Sequence, residues 1–203
     1  IEQLREAAKV SEAGFARVRE MLSDSEIGAE DVLYLDGEVL TCEALRKEIR
    51  VATTQAGGGY NNPIAASGLQ AADCHCLGFG PVKAGEMIVV DIFPRHEDNY
   101  MWGDISRTYI KGKASEKQQH IYDTVWEAFQ AALALFAPGA KVADIDKAAR
   151  DVLLEKGYET KLREDGLWQG CYCGSGHGVG LEVHEAPNSG KSDGKLEIGQ
   201  VIT

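Results

Sequence analysis

The sequence has no apolar run near the roughly 20 residues that a membrane-spanning helix needs, and its opening stretch, IEQLREAAKV, lacks the basic and apolar regions of a signal peptide. A membrane partner is therefore not expected. Positive charge is also scarce: 21 Lys and Arg against 32 Asp and Glu leave a formal net charge of −11. A nucleic-acid or anionic-membrane surface needs clustered Lys and Arg to replace counterions, so small molecules or peptides are the expected partners. Internal repeats, low-complexity tracts and linkers are missing too, which leaves 203 residues for one sizeable core. There is no initiator methionine, and Ile1 is read as the start of an excised chain.

What is present is ordinary for a globular chain, with 44% hydrophobic and 26% charged residues. The five cysteines are an odd number and include two C-x-C pairs, Cys74/Cys76 and Cys171/Cys173. That pattern fits a reduced, cytoplasmic setting better than a disulfide framework. The pairs are read as buried thiols; a four-cysteine metal site is the alternative, although C-x-C is tighter than the usual spacing of structural zinc.

Apolar spacings of three, four and seven residues through Leu4, Ala8, Phe15, Val18 and Leu22 predict an amphipathic helix over residues 1–22, with a second over about 39–54. The Gly-, Asn- and Pro-rich stretch TTQAGGGYNNPIAASG predicts an irregular, surface-lining segment. EMIVVDIF then reads as a buried strand, HEDN as a turn and YMWGDISRTYI as the return strand. A capping box at Ser115 and Gln118 opens a long helix that stops at Pro138-Gly139, a further helix covers about 142–156, and GQVIT reads as a final strand. The expectation is one α+β domain, a mostly antiparallel sheet covered by helices.

Two carboxylates stand out in this frame. With the hairpin turn centred between Glu97 and Asp98, Asp91 falls opposite Asp104, and opposed residues of an antiparallel pair point to the same face. Two carboxylates on otherwise core-like strands repel and lose solvation, so a proton, basic side chains or divalent cations must compensate. The purely structural alternative has one aspartate capping a turn while the other pairs with Arg107. His177 lies in GSGHGVGLEVHEAP between two glycines that let the backbone approach closely, and His184 follows. Imidazole with carboxylates suits zinc, manganese, cobalt or iron. His96 in the turn and His120 near a helix start are read as structural, and Trp102 and Trp168 as packing residues.

DIFPRHEDNYMWGDISRTY, GHGVGLEVHEAP and the upstream ASGLQAADCH resemble, in the same order, three motifs of the pita-bread metallopeptidases: Xaa-Pro aminopeptidases, prolidases, methionine aminopeptidases and creatinase. The resemblance covers nearly all of residues 1–203. The ASG before His75 and the LEVHE after the glycine motif are most similar to the Xaa-Pro aminopeptidase and prolidase branch. It implies a pseudo-symmetric α+β pita-bread fold with a curved sheet, and a dinuclear centre of manganese, cobalt or zinc. Asp91, Asp104 and His177 match the metal ligands; His75 and His184 match the two substrate-facing histidines. The implied reaction is hydrolysis of N-terminal Xaa-Pro peptide bonds by a hydroxide that bridges the two metals. The expected partner is a peptide substrate, with a homodimer as the assembly.

One departure is large. The family completes its site with two glutamates, and Glu182, Glu185 and Glu197 do not stand at those motif positions. The catalytic domain over 1–203 is therefore expected to be incomplete at its C-terminal end and, alone, to bind metal weakly and turn over little. Two other functions compete: a metal-free peptide- or protein-binding module of the same fold, and a creatinase-like hydrolase acting on a small amidine. Retention of both aspartates and His177 argues against the first, because each is a costly polar burial without metal.

Overall fold

The computed structural model describes residues 1–59, 62–188 and 194–203. The backbone sorts into two compact units, Ile1–Ser115 with Gly180–Val183, and Glu116–Val179 with His184–Thr203. Among the described residues no helix is long and apolar enough to cross a membrane.

The first unit opens with helix α1 (Glu2–Asp24). Its buried residues Ala7, Val10, Gly14, Val18 and Met21 recur every three or four positions, the spacing of one helical face. At Gly14 that face sits down hard on its neighbours: a Cβ there would lie 2.8 Å from Ile92 Cδ1. A small antiparallel sheet follows, made of β1 (Glu26–Ile27), β2 (Leu33–Leu35) and β3 (Glu38–Val39). Helix α2 (Cys42–Gln55) starts where the Thr41 hydroxyl accepts a hydrogen bond from the Ala44 amide at 3.1 Å, and Arg17 of α1 reaches its Glu48 at 3.0 Å.

The central sheet is β4 (Ile64–Ser67), β5 (Ile88–Ile92) and β6 (Ile105–Tyr109), antiparallel and in that order. Ile88, Val90 and Ile92 alternate inward and join Val18, Leu45 and Ile49 in a fully buried core. Each such side chain contributes roughly 1.5–3 kcal/mol by leaving water. Strand β4 corrects the sequence reading, which made this stretch irregular and surface-lining: all four of its residues are buried. Tertiary packing decides this. The chain at Leu77–Gly78 runs so close to β4 that the Ala65 amide donates to Leu77 O at 3.1 Å and a Cβ on Gly78 would overlap Ala65 O. Alanines and a glycine, weak strand formers by propensity, are what fit.

The second unit holds α3 (Glu116–Ala134), α4 (Val142–Glu155), the hairpin β7 (Lys161–Leu162) and β8 (Trp168–Gln169), and the pair β9 (His177–Gly178) and β10 (Glu185–Asn188). Its core is small: Val142, Ile145 and Leu196, backed by Ala132, Ala140 and Ile202. The predicted strand GQVIT forms in part, since residues 201–203 run beside β9 with Val179 N to Val201 O at 3.1 Å and Thr203 N to His177 O at 3.0 Å.

Candidate metal centre

Asp91 is the penultimate residue of β5 and is half-buried. The ladder pairs it with Ser106, whose hydroxyl donates to Asp91 Oδ1 at 2.8 Å. Asp104 stands two residues before Ser106, between the Ile92–Ile105 pair and the bond from Gly103 N to Pro94 O at 3.0 Å. The predicted direct opposition of Asp91 and Asp104 is thus off by two positions. The turn closes with His96 N donating to Met101 O at 2.8 Å, so Tyr100, at φ 61°, belongs to it, and its centre moves one residue along the chain. Asn99 holds that turn by donating to Glu6 Oε2 of α1 at 3.0 Å and accepting from the Met101 amide at 3.0 Å. A shift of two preserves the face, so by register the two carboxylates are diagonal neighbours, a separation of about 7–8 Å between backbones.

Gly103 positions Asp104 from behind. A Cβ on Gly103 would collide with Ala7 O at 2.3 Å, and the buried Ser11 hydroxyl donates to Gly103 O at 3.0 Å, so the return strand is pinned to α1 immediately before Asp104. Arg107 pairs with the buried Val90 and lies over the Phe15 ring, 6.0 Å from its centroid. It is therefore turned to the helix face, away from Asp91, which removes the structural alternative that paired it with an aspartate. Trp102 binds the Gly180–Val183 segment, its amide donating to Gly180 O at 2.9 Å and its indole Nε1 to Leu181 O at 3.0 Å. Nδ1 of His96 accepts from the Asp98 amide at 3.2 Å, and the His120 ring lies 6.1 Å from that of Tyr158.

In the second unit, β9 presents His177. Its flanking glycines are required by backbone crowding on both sides: a Cβ on Gly176 would lie 2.3 Å from Thr203 O and one on Gly178 2.5 Å from Ala186 O. His177 Nδ1 is 3.1 Å from Gly178 O, and a carbonyl only accepts, so Nδ1 carries a proton and donates there. In the neutral ring this is the tautomer in which a histidine ligates a metal while its other nitrogen is held by a backbone carbonyl. His184 stacks beside it, with ring centroids 4.2 Å apart and planes inclined by 47°. Within the first unit, two carboxylates on one hairpin face are donors of the kind that divalent ions take.

His75 is exposed in the first unit, after a 3-10 turn at Gly68–Ala72, and its amide donates to Asp73 Oδ1 at 2.9 Å. Asp73, Cys74 and His75 bring their donor atoms within 4.8 Å of one another, a grouping the sequence reading passed over because it attended to the C-x-C spacing. Cys42 is the buried cysteine; Cys74 is exposed, and Cys76, Cys171 and Cys173 are half-buried, so the reading of the C-x-C pairs as buried thiols does not hold. Two further residues gave only a weak signal. Asp146 and Arg150 are an i,i+4 pair on α4 that binds the backbone leading to His177. Their spacing marks an ion pair, but nothing in it names their distant partners.

Compared with known proteins, residues 2–203 match the model of metallopeptidase family M24. The chain belongs to that family. Among its relatives, Xaa-Pro aminopeptidase 1 of Streptomyces coelicolor is 31% identical over 217 residues, covering 100% of this chain and 42% of the relative. The Xaa-Pro dipeptidase of Pyrococcus furiosus is 35% identical over 142 residues, covering 69% of this chain and 38% of the relative. The crystal structure of the prolidase from Pyrococcus horikoshii superposes with a TM-score of 0.80 at 25% identity, over 99% of this chain and 52% of that one. This M24 chain thus spans about half the length, or less, of the relatives it matches. Its α+β architecture is the pita-bread fold of those structures, and membership of a metallopeptidase family implies divalent metal ions.

Proposed function

We propose that the protein hydrolyses Xaa-Pro bonds at the N-terminus of peptides, with two divalent ions and with residues 1–203 belonging to its catalytic domain. The observation that carries this reading is the M24 match over residues 2–203 together with relatives named for Xaa-Pro bonds. Asp91, Asp104 and His177 would hold the metal, and manganese, cobalt or zinc suits carboxylates with an imidazole. When bound, such ions supply Lewis acidity that polarises the scissile carbonyl and lowers the proton affinity of a water molecule.

The chain's own residues do the remaining work. Ser106, by donating to Asp91 Oδ1, fixes which way that carboxylate faces. The Gly178 carbonyl keeps the proton of His177 on Nδ1. His75 and His184 orient the peptide and donate hydrogen bonds to the carbonyl oxygen as it gains negative charge, where one such donor contributes on the order of 3 kcal/mol. The odd number of cysteines and the exposed thiol of Cys74 favour a reducing, cytoplasmic setting.

The test combines metal titration calorimetry with turnover on an Xaa-Pro dipeptide, an Xaa-Pro tripeptide and a small amidine. Asp91→Ala, Asp104→Ala and His177→Ala should each lose stoichiometric metal. His75→Ala and His184→Ala should keep metal while turnover falls by about 100-fold or more. Metal lost from either of the latter two would reverse the assignment of roles, and turnover on the amidine alone would replace the peptidase reading with a creatinase-like one.

A further inference from the structure

The segment that delivers His177, GCYCGSGHG, has glycine at 170, 174, 176 and 178 and therefore has much conformational freedom to lose on folding. Apolar packing does little to restrain it, since Tyr172, Gly174 and Ser175 are exposed. The Thr160 hydroxyl holds its start, accepting from the Cys171 amide at 3.0 Å, and beyond that an ion pair on α4 restrains it. Arg150 Nε donates to Asp146 Oδ2 at 2.7 Å, while its Nη1 and Nη2 donate to the carbonyls of Cys171 and Cys173, the latter at 2.6 Å. The other oxygen, Asp146 Oδ1, accepts from the Ser175 amide at 3.0 Å.

The pair thus grips alternate residues, 171, 173 and 175, and the next residue in that alternation is His177. Asp146 is 6% exposed, so the pair bears a desolvation cost that a solvated surface bridge would avoid. That cost is offset by hydrogen bonds that all involve a charged group, and the planar guanidinium is what allows one side chain to span two carbonyls and a carboxylate together. Burial pushes the Asp146 carboxyl up, but the bonds from Arg150 and the Ser175 amide outweigh it and hold the group below its ordinary value, so the clamp is charged at neutral pH.

We propose that Asp146 and Arg150 are positioning residues for His177: by clamping the backbone at 171, 173 and 175 they fix where β9 begins and hence the direction and tautomer of the His177 ring. The inference rests on the reading of His177 as a metal ligand only for its effect on metal affinity; the effect on the ring is separate.

The experiment uses the full-length protein and compares Arg150→Lys, Arg150→Ala, Asp146→Asn and His177→Ala by two measurements. The first is ring-nitrogen NMR of His177 in the metal-free state. Wild type should give one Nδ1–H species, and Arg150→Lys, which keeps the partner of Asp146 but cannot span both carbonyls, should give a mixture of tautomers, as should Arg150→Ala. The second is manganese titration, in which both Arg150 variants should lose about 10–100-fold in affinity. If Arg150→Lys gives wild-type ring signals and affinity while Arg150→Ala only melts earlier, the pair is merely structural and the inference is overturned. Asp146→Asn keeps the shape of the side chain and supplies the answer if Arg150→Ala does not fold. If His177→Ala binds manganese like wild type, the ligand reading fails instead, and the ring signals of the Arg150 variants alone decide the positioning role.

Discussion

The hairpin that carries Asp91 and Asp104 and the segment that carries His177 are held by different forces. The hairpin lies on a core in which Leu45, Ile49, Ile88, Val90 and Ile92 are all 0% exposed, and two helices cover one face of its sheet. The His177 segment belongs to a unit whose buried apolar cluster is Val142, Ile145 and Leu196, and whose longest helix, α3, leaves Tyr122, Trp126, Phe129 and Leu133 at least half exposed. There, order comes from the Asp146–Arg150 clamp and from the crowding of backbones around Gly176 and Gly178. Apolar packing is non-directional and tolerates compensating changes, whereas a clamp of charged hydrogen bonds is directional and depends on pH. The carboxylates should therefore resist conditions that loosen the histidine.

The contrast breaks most easily in the cores. Ile49→Ala should cost about 2–5 kcal/mol, because a fully buried site surrounded by packed side chains cannot collapse around the lost volume. Ile145→Ala, in a thin core and itself 8% exposed, should fall at or below the lower end of that range. Urea denaturation of both variants, read as midpoint shifts at constant slope, decides the matter. Equal losses would mean that the second unit is as well packed as the first.

Acid should separate the two regions next. Asp146 has a folded-state pKa below its ordinary value, so the unfolded chain binds its proton more readily. The stability it contributes is fully present above the unfolded value, near 3.9, and is lost as the pH falls through the lower folded value. Hydrogen exchange at β9 should therefore accelerate below about pH 4 while β5 stays protected, and Asp146→Asn should abolish that acid dependence. Simultaneous loss of protection at β5 and β9 in wild type would contradict it.

The smallest effect is expected on the bare face of α3. Trp126→Gln and Phe129→Gln should change stability by no more than about 0.5 kcal/mol each, since both side chains are more than half exposed. A loss of several kcal/mol in thermal unfolding would show that this face is covered in solution.

How far the sequence could be read follows from the range of each interaction. The helices α1, α2, α3 and α4 and the β5–β6 hairpin were legible because their apolar periodicity and turn residues are local. The hairpin register came out two positions wrong because the turn is centred one residue later, with Asn99 tied both to the Met101 amide within it and to Glu6 of α1. Strand β4 was missed because Ile-Ala-Ala-Ser has no alternation to read, and only the chain at Gly78 lying against it makes it a strand. Arg107 looked like a partner for an aspartate until the ladder turned it toward Phe15.

The order of chemically distinctive residues along the chain, Asp91 and Asp104 on a hairpin and His177 between glycines, was set by the sequence alone, and it was enough to indicate the family. The tertiary structure decided what holds them: Ser106 on Asp91, α1 against Gly103, and Asp146 and Arg150 on backbone groups 21, 23 and 29 residues away. The physical reason is that a side chain's type and spacing constrain its own turn of helix or strand, while a hydrogen bond to a distant carbonyl exists only once packing has brought the two together.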